Sequence, residues 1–293
     1  MNHFRVNPDT DAEELHALYV RESGLHGADL RSFYFDQDWK GYQQRLARTL
    51  LLDAFSVFES WAEEVVDQVA PAGTDKSRIT KGLQFPTKTD PLSGVATSGA
   101  RWAIAELTSV SSAFMETQVT TGLRANPKYG LAALDPQLKM YRYFKEARNC
   151  LVHRSGRADK KVVEAYNEIA GLSLNGLGLD GKKRRGKVVA EIPATLPAVE
   201  GENVQLDLRG VVGLSDVIIR VMTTIDAEAS RASTAEELFR NRWASTVKPK
   251  INFPAREQKR AEVCRSIAAK LRLPPFPSSE VVVAFARAQR LAT

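Results

Sequence analysis

The chain has 293 residues, 43% apolar and 26% charged, with a net charge of +6. That balance is near the average for a soluble globular protein and fits an acidic partner such as RNA without requiring one. The longest apolar runs, Leu50-Leu51-Leu52 and Val281-Val282-Val283-Ala284, fall far short of the roughly 20 residues of a membrane span. No basic-then-apolar leader opens the sequence. Cys150 and Cys264 are too few for a disulfide framework or a cysteine zinc site, so a cytoplasmic protein with reduced thiols is expected.

In chain order, residues 9–22 read as a short helix, and the Gly- and aromatic-rich stretch 23–35 has no clear assignment. Residues 38–69 form the strongest helix, with Leu46, Leu50, Ala54, Val57, Phe58, Trp61, Val65 and Val69 at helical spacing. Pro71 ends it, and the polar segment 71–96 reads as a loop. A second helix is expected over about 98–121, with Trp102, Ala105, Val110 and Phe114 inward. A third starts at Asp135-Pro136, a carboxylate cap followed by proline. It runs to about Arg154, with Gly156 as a left-handed cap beyond.

A shorter helix over about 159–170 precedes the loop "NGLGLDGKKRRGK". The β-type runs "KVVAEIP" and "VQLDLRG" suggest a small hairpin. Helices return at 214–231, 234–246, 256–272 and 279–291. The class is therefore mainly α: a helical bundle with a small β-hairpin insertion. We expect an N-terminal extension at 1–37, a core domain at 38–231 and a helical C-terminal appendage at 232–293.

The third helix holds the most informative stretch, "EARNCLVHRSG". With Leu151 at the origin of a helical wheel of about 100° per residue, Met140, Phe144 and Ala147 fall on one buried stripe. Asn149 and His153, four apart, fall on the opposite face. Arg148 lies at the edge of the stripe, where a permanent charge needs a carboxylate or a route to solvent. Spacing alone also fits a solvated helix end, where Arg and His favour the negative pole of the helix dipole.

The segment "RNCLVH" resembles the Arg-polar-x-x-x-His signature of HEPN domains (higher eukaryotes and prokaryotes nucleotide-binding). The resemblance extends to "LLLDAFSVFESW", which looks like the first helix of such domains, to the helix order, and to "HRSG" after the histidine. It covers about residues 38–231. It implies a HEPN-like bundle and a metal-independent endoribonuclease that acts as a homodimer, with two motif helices meeting at a two-fold axis. It also implies a bacterial setting of growth arrest: a toxin held by an antitoxin or other regulatory protein, or an effector of anti-phage defence. Glu59 in "VFESW" would face Arg148 from the first helix, the alternative being a glutamate in water.

RNA carries its own nucleophile, the 2′-hydroxyl. His153 is assigned as general base or acid, because imidazole titrates near neutrality. Arg148 is assigned as the clamp on the phosphate oxygens, and Asn149 as the group that orients the phosphate or the imidazole. Products would be a 2′,3′-cyclic phosphate and a 5′-hydroxyl. No cofactor or metal is called for: His3, His16 and His26 are N-terminal and irregularly spaced. Lys182, Lys183, Arg184, Arg185 and Lys187, joined by Arg154, could collect RNA backbone by counterion release; the basic loop is equally readable as a solvated tip.

Other chemistries lack support. Cys150 has no second histidine within reach in the sequence, and "GLSLNG" is not a nucleophile elbow. The competing readings are a HEPN module that binds nucleotide, RNA or protein without cutting, and a helical scaffold that assembles through its C-terminal appendage.

Overall fold

The computed structural model describes residues 39–180, 191–247 and 251–292, together with 183–184 and 187–188 by backbone alone. The helix expected at 9–22 lies outside the described residues, as do Lys182 and Arg185. The described chain is mainly helical, its only ladders being two two-stranded ones. No described helix is long and apolar enough to cross a membrane.

Helix α1 spans Trp39–Val69. It buries Ala47, Leu51, Phe55, Phe58, Ala62, Val66 and Val69, an alternation of three and four that forms one stripe. This corrects the expected inward face. Phe58 and Val69 are buried as expected, but Leu46, Leu50 and Val57 are exposed, and Ala54, Trp61 and Val65 are half-buried. Two apolar stripes run side by side on α1, and the one carrying Phe55 and Phe58 lies inward, with both rings against Tyr141 at 4.9 and 4.7 Å.

The expected loop 71–96 contains a helix, α2 (Lys76–Leu83), capped by Asp75, whose Oδ1 accepts from the Arg78 amide at 3.0 Å. Ile79 and Leu83, four apart, anchor it. Strands β1 (Lys88–Thr89) and β2 (Ala96–Ser98) then form an antiparallel hairpin. Asp90 shapes its turn by accepting from the amides of Leu92 and Ser93 at 2.9 and 2.8 Å.

The second long helix is broken in two. Helix α3 (Ala100–Leu107) stops, a π-helical turn (Met115–Thr120) follows, and α4 (Thr121–Arg124) completes the segment. The break lies at "TSVSS", where hydroxyls compete for backbone groups: Thr108 donates to the Ile104 carbonyl at 2.7 Å, and Ser112 Oγ caps the Met115 amide at 3.1 Å. The freed backbone pairs with the chain around residues 231–233, the Ser112 amide donating to the Arg231 carbonyl at 2.8 Å and the Ser233 amide to the Val110 carbonyl at 2.9 Å. Val110, within the break, is exposed rather than inward, and so is Ala105 on α3.

Helix α5 (Leu134–His153) follows a 3₁₀ turn at Leu131–Ala133. Asp135 does not cap it. Its carboxylate instead accepts from Thr87 Oγ1 at 3.1 Å and Arg101 Nε at 3.0 Å, tying α5 to the start of α3. Helix α6 (Lys160–Ile169) is capped by Asp159 and lies along α5.

Among the described residues, "KVVAEIP" and "VQLDLRG" do not pair as the expected hairpin. The antiparallel pair is β3 (Lys183–Arg184) with β4 (Lys187–Val188), inside the basic loop. "LRG" instead opens α7 (Leu208–Ala229), whose cap Asp207 accepts from the amides of Arg209 and Gly210. Helices α8 (Ser233–Thr246), α9 (Glu257–Lys270) and α10 (Ser279–Ala288) complete the chain.

Helices α1, α5 and α7 pack on one another. Helix α7 runs parallel to α1: the Leu206 amide donates to Gln44 Oε1 at 3.0 Å near one end, and Trp61 Nε1 donates to Asp226 Oδ1 at 3.1 Å near the other. The buried cluster continues past residue 232. Phe239, Trp243, Ile267 and Val282 belong to the same buried cluster as α1 and α5, and Phe114 joins Phe239 and Phe285 at 5.4 and 3.6 Å.

Asp226 gives this core a pH dependence. Burial pushes its carboxyl up to about 6, against which the Trp61 hydrogen bond pulls down. The folded state therefore holds a proton more tightly than the unfolded one, and stability falls as pH rises through about 6. Asp226 is nonetheless solvent-exposed, and that screening reduces the expected cost to about 1 kcal/mol. Asp226→Asn keeps the acceptor for Trp61, so it should gain that amount over the parent at pH 8 and nothing at pH 4. Denaturant melts across that range check this, and a constant difference would contradict it.

Candidate functional site

The end of α5 sets the site. His153 is its last residue; Arg154 follows as the C-cap, then Ser155 and Gly156 take positive φ values of 52° and 79°. The Gly156 amide donates back to the Cys150 carbonyl at 3.0 Å, the left-handed closure expected there. Met140, Phe144 and Ala147 are buried and Leu151 half-buried, so the inward stripe is where the wheel places it. Tyr141 and Tyr143 are also in the core. Tyr143 donates to the Leu196 carbonyl at 2.9 Å.

Asn149 is half-buried and His153 exposed, on the outward face. Arg148 Nη1 donates to Asn149 Oδ1 at 3.3 Å, and Asn149 Nδ2 donates to Glu146 Oε2 at 3.4 Å. Arg148 Nε is buried without a hydrogen-bond partner, an uncommon state for a charged donor. Arg148 and Asn149 are thus in contact, while His153, one turn on, has no hydrogen bond or ion pair among the described residues. Within one protomer the imidazole does not touch the guanidinium.

The Glu59–Arg148 ion pair does not form. Glu59 Oε1 lies 4.0 Å from Lys145 Nζ instead. Lys145 also donates to Gln84 Oε1 and sits 5.2 Å above the Phe85 ring and 5.8 Å from that of Tyr141. Burial pushes the Lys145 amine down from its usual range, while the charges of Glu59 and Glu146 push it back up and Arg148 adds to the depression. The Tyr141 hydroxyl is buried without a partner, and burial, with Glu59 nearby, pushes it up. Glu59, Tyr141, Lys145 and Arg148 therefore share one electrostatic neighbourhood between α1 and α5.

Lys145 is the residue that the sequence reading missed. Its signal was present: Lys145 and Arg148 are three apart and so share a helix flank, but a lysine beside a motif looks like ordinary surface charge. Lys145 takes the carboxylate assigned to Arg148 and leaves the guanidinium turned towards Asn149.

Arg154 is committed elsewhere. Its Nε lies 3.2 Å from Asp159 Oδ2, the carboxylate that also caps α6. Cys150 is buried, and that burial pushes its thiol up, which does not suit a nucleophile. Lys183, Arg184 and Lys187 lie on the β3–β4 hairpin, whose side chains are outside the described residues.

At the end of α5 the chain therefore holds Arg148 against Asn149 and leaves the His153 imidazole accessible one turn beyond Asn149. Asn149 and His153 share the outward face and Arg148 lies on its flank, with no hydrogen bond joining His153 to Arg148. Comparison of this chain with protein-family models, with curated proteins and with solved structures finds no match.

Proposed function

We propose that this chain is a metal-independent endoribonuclease of HEPN type that cleaves RNA at the outward C-terminal end of α5. The observation that supports it is the Arg148–Asn149 contact at 3.3 Å with exposed His153 one turn beyond. Arg148 and Asn149 hold the scissile phosphate, and the guanidinium offsets the charge that develops on its oxygens. His153 takes the proton from the 2′-hydroxyl or gives one to the departing 5′-oxygen. The bond from the 2′-oxygen to phosphorus forms as the bond to the 5′-oxygen breaks. A cyclic phosphate and a 5′-hydroxyl result, with no water consumed in that step.

One imidazole serves one of the two proton transfers. A homodimer placing two α5 faces across a two-fold axis supplies the second and a cleft between them. Exposed Val152, beside His153, gives that face an apolar contact. A growth-arrest setting, as a toxin restrained by an antitoxin or as an anti-phage effector in the cytoplasm, fits such an activity.

The second reading, a HEPN module that binds without cutting, is favoured by the lack of contact between His153 and Arg148 in one protomer. Incubating the purified chain with total RNA in EDTA separates the two. Cleavage by the parent and none by Arg148→Ala or His153→Ala is the expected result. Intact RNA with the parent would favour the binding module.

A further inference from the structure

A cleft of about 710 Å³ opens between α2, the β1–β2 hairpin and the first half of α5, within the size range of ligand sites. Five cations line it, Arg78, Lys81, Lys88, Lys139 and Arg142, against one carboxylate, Glu168. Arg142 Nη1 is held by Glu168 at 3.1 and 3.3 Å. Lys81, Lys88 and Lys139 have no ion-pair partner among the described residues. Such an excess of unpaired cations in a concave, partly apolar site attracts a polyanion.

The apolar part has a form suited to bases. The Arg78 guanidinium carbon sits 4.6 Å from the centre of the Trp102 ring, and both residues line the cleft; a guanidinium plane stacks on bases as an aromatic ring does. Phe85, 37% exposed, stands where the cleft meets the Lys145 ammonium.

The cleft also leads to the motif. Lys139, Arg142, Glu146, Asn149 and His153 follow one another at spacings of three and four along α5, which puts them on one helix face. Their span of fourteen steps, at 1.5 Å per residue, covers about 21 Å. A single nucleotide bound at one end would leave most of that face uncovered, whereas a strand of several nucleotides follows it. Glu146 is the one carboxylate on the track, and Asn149 holds it.

We propose that this cleft binds single-stranded RNA and guides the strand along α5 to Arg148, Asn149 and His153. The destination rests on the nuclease reading; the binding does not. The experiment uses the full chain and a labelled 2′-O-methyl oligoribonucleotide of about ten residues, which lacks the nucleophile and cannot be cut. Fluorescence anisotropy is followed against salt, with ATP as competitor.

The parent should bind the oligonucleotide. Lys81→Ala with Lys139→Ala, both on unpaired lysines, should weaken binding about tenfold or more and reduce the salt slope by about two, with an unchanged melting temperature. No binding by the parent, binding that the double variant leaves unaltered, or displacement by stoichiometric ATP would overturn the proposal. Binding without cleavage of natural RNA would refute the nuclease reading alone. Cleavage that the double variant leaves at the parent rate and affinity would refute the guiding cleft alone.

Discussion

Replacing His153 by alanine is expected to lower RNA cleavage by about 10²- to 10⁴-fold, the range for removing a group that moves a proton in the transition state. The loss should fall on kcat, because His153 makes no contact within the fold and contributes nothing to holding the clamp. Stability should be unchanged, since the side chain is exposed. Arg148 behaves differently. Arg148→Ala should remove both clamping and transition-state charge, raising KM as well as lowering kcat. Arg148→Lys should not restore activity, because an ammonium lacks the fork that addresses two phosphate oxygens together. Single-turnover rates on a defined RNA, with the two variants side by side, check this. A raised KM with kcat unchanged for His153→Ala would show that the imidazole binds rather than transfers protons.

A large stability effect is expected at Gly99→Ala. Gly99 has φ of 94°, and a Cβ there would lie 1.9 Å from the Pro86 carbonyl oxygen and 2.6 Å from its carbon. The obstacle is backbone, fixed by the Ala100 amide donating to the Phe85 carbonyl at 2.8 Å, so the Phe85–Thr87 segment would have to move. The combined backbone strain and displacement should cost about 3 kcal/mol, a fall in Tm of the order of 10 °C. Because Phe85, Pro86 and Thr87 form a wall of the basic cleft, affinity for single-stranded RNA should fall with stability. A melt that matches the parent within about 1 °C would contradict the tight approach.

Most helices were legible in the sequence because their apolar spacing and caps agree. Asp159 capping α6 and Gly156 closing α5 are local features. What failed needed information from across the fold. On α1, Leu46, Leu50 and Val57 have the same periodicity as the buried stripe, and only the positions of α5 and α7 decide which stripe is covered. The π turn and the break at "TSVSS" depend on the chain around residues 231–233 receiving the freed backbone. Asp135 has the local form of a cap, yet Arg101 and Thr87 claim its carboxylate.

The candidate site divides in the same way. The outward placement of Asn149 and His153 follows from the wheel alone. The partner of Glu59 does not, because Lys145 and Arg148 compete for it from one flank of α5 and Lys145 is the nearer. The cleft was not legible at all. Its cations come from α2, β1 and α5 and gather only when the chain folds.

The most direct test of the account is the chemistry of the 3′ end formed when the chain cuts a defined RNA in EDTA. Attack by the ribose hydroxyl beside Arg148 and His153 predicts a 2′,3′-cyclic phosphate in the mass spectrum, no cut where a single 2′-deoxy nucleotide replaces the scissile one, and no product with His153→Ala. A 3′-hydroxyl opposite a 5′-phosphate, or a cut that survives the 2′-deoxy substitution, would contradict it.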